Sequence, residues 1–431
     1  MHPSNRKISK PNHLPTHNIT GRPLSNTQRR DGSTHHLCIT PNGTTTQTEQ
    51  QQVFLVTGAT GHIGRALCER LLNHSHPNSK IYALGRNEKI GLELEQSILL
   101  SRNHPSSEQH CNSPQLKFIQ CDLVQQPEIV QDLILNKNID VIYHCAALST
   151  AWANPKDIYK INVEGTRHLI HACLKLYSDE TKKKLKRFIY VGTPSIYTSK
   201  NHRVNVSEDD DEKNVKFENI LNDYAKSKFI AEKEVLNAFR QFGVPVVVIR
   251  PRAVIGIHDT AILPRITEVL QQRRFVNLCE KNEKIFVDLT FIDNVIDALL
   301  SAERSDKCIG KVYNITNGEP LDLLELCKFV AEKYLNIDMN FEKKTSPNTF
   351  VPKKLNFKLV YFLGYLFECV YGFFGWYQQD PPLTRYTVTT IGRTSTFDIT
   401  NAKRDLDYHP KVSIMDGITK VMDHHHRYSK L

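Results

Sequence analysis

Paired cysteines are missing from this sequence. Its 10 Cys are scattered through 431 residues with no C-x-x-C spacing, and several sit in apolar stretches such as Ile119-Gln120-Cys121 and His144-Cys145-Ala146. That argues against a disulfide framework or a cysteine zinc site and points to reduced, buried thiols in a cytoplasmic protein. Long uninterrupted apolar runs are scarce too. The first 52 residues offer none that would serve as a signal peptide. The most apolar segment, 355–377, is broken by Lys358 and Glu368 and by Gly364, Gly372 and Gly375, whereas a spanning helix wants about 20 apolar residues with few charges. Charge of one sign is in small excess: 56 Lys+Arg against 46 Asp+Glu leave +10. Residues 1–52 hold six basic and two acidic side chains, so +4 of that excess sits there. The remaining basicity is too dilute to mark a nucleic-acid partner.

What is present reads as an alternation. Residues 1–52, rich in Ser, Thr, Asn, His, Gln and Pro, are predicted to be a disordered polar tail. From residue 53 short apolar runs appear: Val53–Val56, Lys80–Leu84, Leu116–Gln120, Asp140–His144, Arg187–Val191 and Pro245–Ile249. Stretches such as 161–176 and 224–242 between them can hold crossover helices. Strands alternating with helices predict an α/β fold with a doubly wound parallel Rossmann sheet over 53–250. Residues 251–423 are expected to form a smaller substrate-binding lobe, with Thr290–Asp293 and Lys311–Ile315 as further strands, and 424–431 a polar tail. Segment 355–377 reads as two glycine-broken helices that pack in the core, cover an apolar cavity or touch a membrane surface. The acidic run Glu208–Glu212 reads as a solvated loop, and His424-His425-His426 lacks a partner cluster, so no metal site is assigned.

Two constellations carry chemistry. Thr57-Gly58-Ala59-Thr60-Gly61-His62-Ile63-Gly64 follows the first strand and opens a helix. Glycines three apart allow a tight turn and close backbone approach to a pyrophosphate, which meets the N–H groups of the helix N-terminus. The second strand ends at Arg86 rather than at the carboxylate that would hold the ribose diol of NAD. Arg86, assisted by Arg65, suits a 2′-phosphate, so the reading leans to NADP over NAD. Asp122, after the third strand, can reach the adenine or cap a turn. The second constellation is Tyr224-Ala225-Lys226-Ser227-Lys228. On a helix, positions i and i+4 share a face, and an ammonium beside a phenol favours the phenolate for proton exchange with an alcohol or carbonyl oxygen.

With His144-Cys145-Ala146-Ala147, Asn162-Val163-Glu164-Gly165-Thr166 and Arg250-Pro251-Arg252 added, the chain resembles the extended short-chain dehydrogenase/reductases. Within them it looks most like the 3β-hydroxysteroid dehydrogenase branch, on Ile189–Tyr197, Asn314–Pro320, 355–377, Pro382–Tyr386, Thr396–Lys403 and Leu406–Pro410. The likeness spans about residues 53–420. It implies Tyr224 as proton donor or acceptor, Lys228 as its pKa-lowering, ribose-binding partner, and Thr193 as the catalytic hydroxyl. It also implies cofactor contacts at Thr57, Gly58, Gly61, His62, Ile63, Gly64, Arg86, Asp122, Leu123, Ala146, Ala147, Tyr224, Lys228 and Pro251. Gly192 stands where relatives often carry another Ser, with Ser195 as the substitute.

The resemblance implies an NAD(P)-dependent oxidoreductase acting on the secondary alcohol or ketone of a hydrophobic substrate, sterol-like or 3-oxo-acyl. Peripheral membrane contact through 355–377 and a homodimer are compatible with it. A nucleotide-sugar epimerase is the alternative. Sugar dehydratases place Asp-Glu directly after the catalytic Thr, where this chain has Pro194-Ser195. A cofactor sensor without turnover would typically lose the Tyr-Lys pair, which is kept here.

Overall fold

Seven parallel strands form the central sheet. From one edge they run Val312–Ile315, Val246–Pro251, Arg187–Val191, Val141–His144, Val53–Thr57, Lys80–Gly85 and Gln115–Gln120. The structure, a computed structural model, describes residues 51–102, 114–210, 215–280 and 283–428. The tail expected over 1–52 therefore lies almost wholly outside the described residues. Strands such as Val141–His144, Arg187–Val191 and Val246–Pro251 are buried along their whole length. That explains their continuous apolar texture, since helices cover both faces. One core layer packs Leu55, Ile142, Phe188 and Val248 under helices that include Gly165–Ser178 and Asp223–Phe242. The opposite layer packs Phe54, Tyr143, Ile189 and Val247 under His62–His74 and Ile292–Arg304.

Strand order reverses around Val53–Thr57, which pairs with Lys80–Gly85 on one side and Val141–His144 on the other. Ligands of open α/β sheets bind beyond the strand ends at such a switch point. The glycine turn, the end of Lys80–Gly85 and Cys145–Ala147 all converge there.

Four features differ from the sequence expectation. Thr290–Phe291 is a strand, but Ile292 and Asp293 already open the helix Ile292–Arg304. Segment 355–377 is one continuous helix, Phe357–Phe374, not two. Gly364 does not break it: a Cβ there would lie 3.0 Å from the Arg385 backbone nitrogen, so the glycine lets this helix press against its neighbour Arg385–Gly392. Glu208, read as part of a solvated loop, instead accepts a hydrogen bond from the Asn314 backbone N–H at the sheet edge and another from Asn401. Residues 211–214 of that loop lie outside the described residues. At the C-terminus the helix Ile414–Tyr428 runs through the residues expected to begin a polar tail.

Candidate active site

The glycine turn explains its own composition. Gly58 has φ +70°, and a Cβ on it would sit 2.7 Å from the Ala146 backbone. A Cβ on Gly64 would sit 2.1 Å from the Gly58 carbonyl oxygen. Any side chain at either place would force the turn off the helix His62–His74 or off the loop after Val141–His144. Thr57 is fully buried. Its hydroxyl lies 2.7 Å from His144 Nδ1, while His144 Nε2 lies 2.9 Å from Thr166 Oγ1, which donates to the Asn162 carbonyl. Thr166 therefore accepts from Nε2–H, and Nδ1 accepts from Thr57. Burial keeps this imidazole neutral, its pKa lowered to about 3.

A cleft runs along the strand ends. Gly58, Thr60 and Gly61 line it together with Leu84–Arg86, Cys121–Val124, Cys145–Ala147 and Ile161. Of the cofactor contacts expected from sequence, Gly58, Gly61, Arg86, Asp122, Leu123, Ala146 and Ala147 meet here. Thr57, His62, Ile63, Gly64 and Pro251 do not line it. His62 packs against Gly256, Ile63 against the core, and Pro251 pairs with Ile315. Asp122 Oδ1 accepts from the backbone N–H groups of Val124 and Gln125, a turn cap. Arg86 is exposed at the rim, whereas Arg65 is tied to Glu69 at 3.1 Å on its own helix. A backbone cradle free of Cβ atoms, a helix N-terminus and an exposed cation at the second strand's end fit a dinucleotide.

The Tyr–Lys pair lies beyond that cleft, on helix Asp223–Phe242, whose first turn is capped by Asn222 accepting from the Ala225 N–H at 2.8 Å. Lys228 is buried, with its Nζ 4.1 Å from the centre of the Tyr190 ring. Burial lowers its pKa to about 7. Burial raises the Tyr224 phenol to about 12, Tyr386 adds to the rise, and a hydrogen bond with Thr193 opposes it. Sequence reasoning expected the Lys228 ammonium to favour the phenolate. In the free chain desolvation dominates both groups, so Tyr224 rests as a protonated acid.

Thr193 is buried at the end of strand Arg187–Val191, with its Oγ1 3.1 Å from Ser195 Oγ. The space beside it, at Gly192, is tight: a Cβ there would sit 3.1 Å from both Arg250 Cγ and Glu232 Oε2. Those two side chains form a buried ion pair, Arg250 Nε donating to Glu232 at 2.8 Å, while Arg250 also donates to Tyr197 at 2.6 Å. Ser195 brings a second hydroxyl to Thr193 from two residues further on.

Two residues escaped notice as parts of the site. Asn162 sits in a π-helical turn, Lys160–Glu164, of the kind frequent at functional sites. Its amide donates to Ser227 Oγ at 2.9 Å, and its Oδ1 accepts from the Leu148 N–H at 2.7 Å, tying the post-strand loop to the Tyr–Lys helix. Tyr386 reaches Ser195 from 191 residues away in sequence, its OH 3.1 Å from Ser195 Oγ.

The lowered Lys228 pKa has a thermodynamic consequence. The unfolded chain holds this proton up to about 10.4, the folded chain only to about 7. Between those values the unfolded state binds more protons, so Lys228 makes stability rise with pH. Lys228→Met should therefore melt several degrees above wild type near pH 7 in thermal denaturation of the cofactor-free protein. That advantage should shrink toward pH 10; a constant difference would count against a desolvated amine.

Comparison with known proteins places this geometry. Residues 54–316 match the model of the NAD dependent epimerase/dehydratase family. A 2-alkyl-3-oxoalkanoate reductase of Stenotrophomonas maltophilia is 28% identical over 85% of this chain and 98% of its own. The 3beta-hydroxysteroid-dehydrogenase/decarboxylase isoform 1 of Arabidopsis thaliana is 26% identical over 87% of this chain and 80% of its own. The solved UDP-glucuronic acid 4-epimerase of Bacillus cereus, in complex with UDP-glucuronic acid and NAD, shares the fold. Its TM-score is 0.59 at 21% identity, over 88% of this chain and all of that one. With the family model covering more than half the sequence, around a glycine turn that fits a dinucleotide, this chain belongs to the NAD dependent epimerase/dehydratase family.

Proposed function

We propose that this chain is an NAD(P)-dependent oxidoreductase that interconverts a secondary alcohol and a ketone on a hydrophobic small molecule. The observation that carries the reading is the hydrogen bond between Thr193 and Tyr224, one helical turn from the buried Lys228, on a helix that Asn162 ties to the loop following the cleft wall. Bound there, NAD(P) supplies the hydride acceptor or donor. Thr193 hydrogen-bonds the reacting oxygen, and Tyr224, protonated at rest, gives its proton to a carbonyl oxygen during reduction. In the oxidation direction Tyr224 takes the alcohol proton, which requires Lys228 in its charged form to stabilise the phenolate. The substrate class follows the two curated relatives, one named for a 3-oxoalkanoate and the other for a 3β-hydroxysteroid. A polar group on an apolar skeleton is common to both. An epimerase reading draws on the family model and the fold neighbours, but an apolar helix beside the site does not suit a diphosphate sugar.

Arg86 supports NADP as the preferred cofactor. It is exposed at the cleft rim where a carboxylate would otherwise hold a ribose diol.

The helix Phe357–Phe374 supports peripheral membrane contact. It is long and apolar enough to cross a membrane by length and composition alone. Only Phe357, Val360 and Gly364 of it are buried. Phe373 is 85% exposed, and Phe374 and Trp376 stack at 4.9 Å beside it. Trp152, in the loop that follows Ala147, donates its indole N–H to the Trp376 carbonyl at 3.1 Å, so the apolar surface is continuous with the loop beside the site. Burying such side chains contributes about 1.5–3 kcal/mol each, enough for reversible association with a bilayer surface.

Three outcomes are expected. Tyr224→Phe should lower turnover by two to four orders of magnitude, roughly the worth of a general acid, in nicotinamide fluorescence assays with 3-ketosteroids and 3-oxo-acyl thioesters, while cofactor affinity stays within about twofold. Normal turnover by this variant would refute the assigned chemistry. Arg86→Asp should weaken NADP at least about tenfold more than NAD in direct titrations, whereas equal losses would show that Arg86 does not read the 2′ position. Replacing Phe373, Phe374 and Trp376 together with Ser should lower liposome co-sedimentation and raise KM for long apolar substrates without changing cofactor affinity. Unfolding of that triple variant would instead assign the three side chains to the protein's own packing.

A further inference from the structure

A fourth hydroxyl reaches the site from a distant element. Tyr386 OH lies 3.1 Å from Ser195 Oγ, Ser195 Oγ lies 3.1 Å from Thr193 Oγ1, and Thr193 is hydrogen-bonded to Tyr224. Each hydroxyl has one proton to donate and two lone pairs to accept with. In the arrangement found, Thr193 donates to Ser195, so its single proton points away from any reacting oxygen. If Thr193 turns its proton to a substrate oxygen, Ser195 Oγ loses its donor. The Tyr386 hydroxyl can take that place, since either oxygen of the Tyr386–Ser195 contact can donate and a phenol is more acidic than an alcohol. With Tyr386 donating to Ser195, and Ser195 to Thr193, the Thr193 proton is released toward the substrate, each bond polarising the next.

The position of Tyr386 is built rather than accidental. It lies in the first turn of helix Arg385–Gly392, capped by Thr384 Oγ1 accepting from the Thr387 N–H at 3.1 Å. Glu368, on the apolar helix Phe357–Phe374, accepts from both the backbone N–H and Nε of Arg385 at 2.6 Å. Gly364 on the same helix lets Thr384 and Arg385 approach within about a Cβ's breadth. Three contacts thus fix the residues just before Tyr386, and so where its hydroxyl can lie.

We propose that Tyr386 is a positioning residue of the active site that sets the direction of the Thr193–Ser195 hydrogen bonds, so that Thr193 donates to the reacting oxygen. The proposal rests on the oxidoreductase reading above and adds a residue to it.

The test is a double-mutant cycle on the full chain, with NAD(P)H and two probes, a 3-ketosteroid and a 3-oxo-acyl thioester. Tyr386→Phe keeps the ring and removes only the hydroxyl. It should lower kcat about 5- to 10-fold, the worth of roughly one hydrogen bond, with KM and cofactor affinity within about twofold. Ser195→Ala, which breaks the link between Tyr386 and Thr193, should make Tyr386→Phe nearly silent, and a melting curve of each variant separates loss of the hydroxyl from loss of the fold. In a Thr193→Val background, Tyr386→Phe should cost less than about twofold more, because its effect passes through Thr193. A packing role would reduce activity equally in both backgrounds, and that result, or wild-type turnover by Tyr386→Phe, would overturn the proposal. A fully active Tyr224→Phe, or no turnover of either probe by wild type, would instead bring down the oxidoreductase reading and this proposal with it. An inactive Tyr224→Phe beside a wild-type-like Tyr386→Phe would remove this proposal alone.

Discussion

The close approach of two backbones at the switch point governs the rest of this structure. Gly58 touches the Ala146 backbone and Gly64 touches the Gly58 carbonyl, with no space for a Cβ at either. That contact brings the N-terminus of His62–His74 to the strand ends and sets Cys145–Ala147 as the opposite wall of the cleft. Beneath it, the chain from Thr57 through His144 and Thr166 to Asn162 satisfies every buried hydroxyl it contains. Asn162 in turn ties this wall to the helix carrying Tyr224 and Lys228. The glycine-turn cleft and the Tyr224–Lys228 helix are therefore joined by one hydrogen-bond network.

Desolvation is the second organising force. Lys228 and Tyr224 are each pushed toward neutrality by burial, the amine to about 7 and the phenol to about 12. In the free chain the phenol rests protonated, while near pH 7 the amine is about half protonated. A buried amine over the face of Tyr190 keeps some stabilisation of its charged form through the ring's quadrupole. Under the oxidoreductase reading proposed above, the ammonium–phenolate pair needed for alcohol oxidation would have to be favoured by what binds next to it.

Much of this was legible in the sequence, for reasons that mark where legibility ended. The central strands announced themselves because burial on both faces leaves apolar runs such as Val246–Ile249, and the glycine spacing identified the turn. The Tyr224–Lys228 pair was found from helical spacing together with its place after the fifth strand and the family resemblance. Signals failed where the deciding contact is long-range. Gly364 reads locally as a helix breaker, yet its reason is a neighbour near residue 385. Glu208 reads as one charge among several, yet it docks on Asn314. Tyr386 carries no local pattern that distinguishes it from any half-buried tyrosine. Gly192 was noticed as a missing hydroxyl, but the Arg250–Glu232 pair packed close beside it needed coordinates.

The strand Val312–Ile315 closes the sheet at its outer edge, pairing with Val246–Pro251 although a long stretch of chain separates them. Among the described residues no further strand pairs beyond it; the Asn314 N–H is taken by the Glu208 carboxylate, and Tyr313 OH is held by Asp405 at 2.9 Å. A carboxylate on an outermost strand occupies a donor that another chain would otherwise seek. During synthesis the same design leaves an interval of exposure. The edge of Val246–Pro251, all of it apolar or destined for burial, waits bare until residues 312–315 leave the ribosome. The order of the strands, not the stability of the finished fold, sets how long this edge stays unpaired.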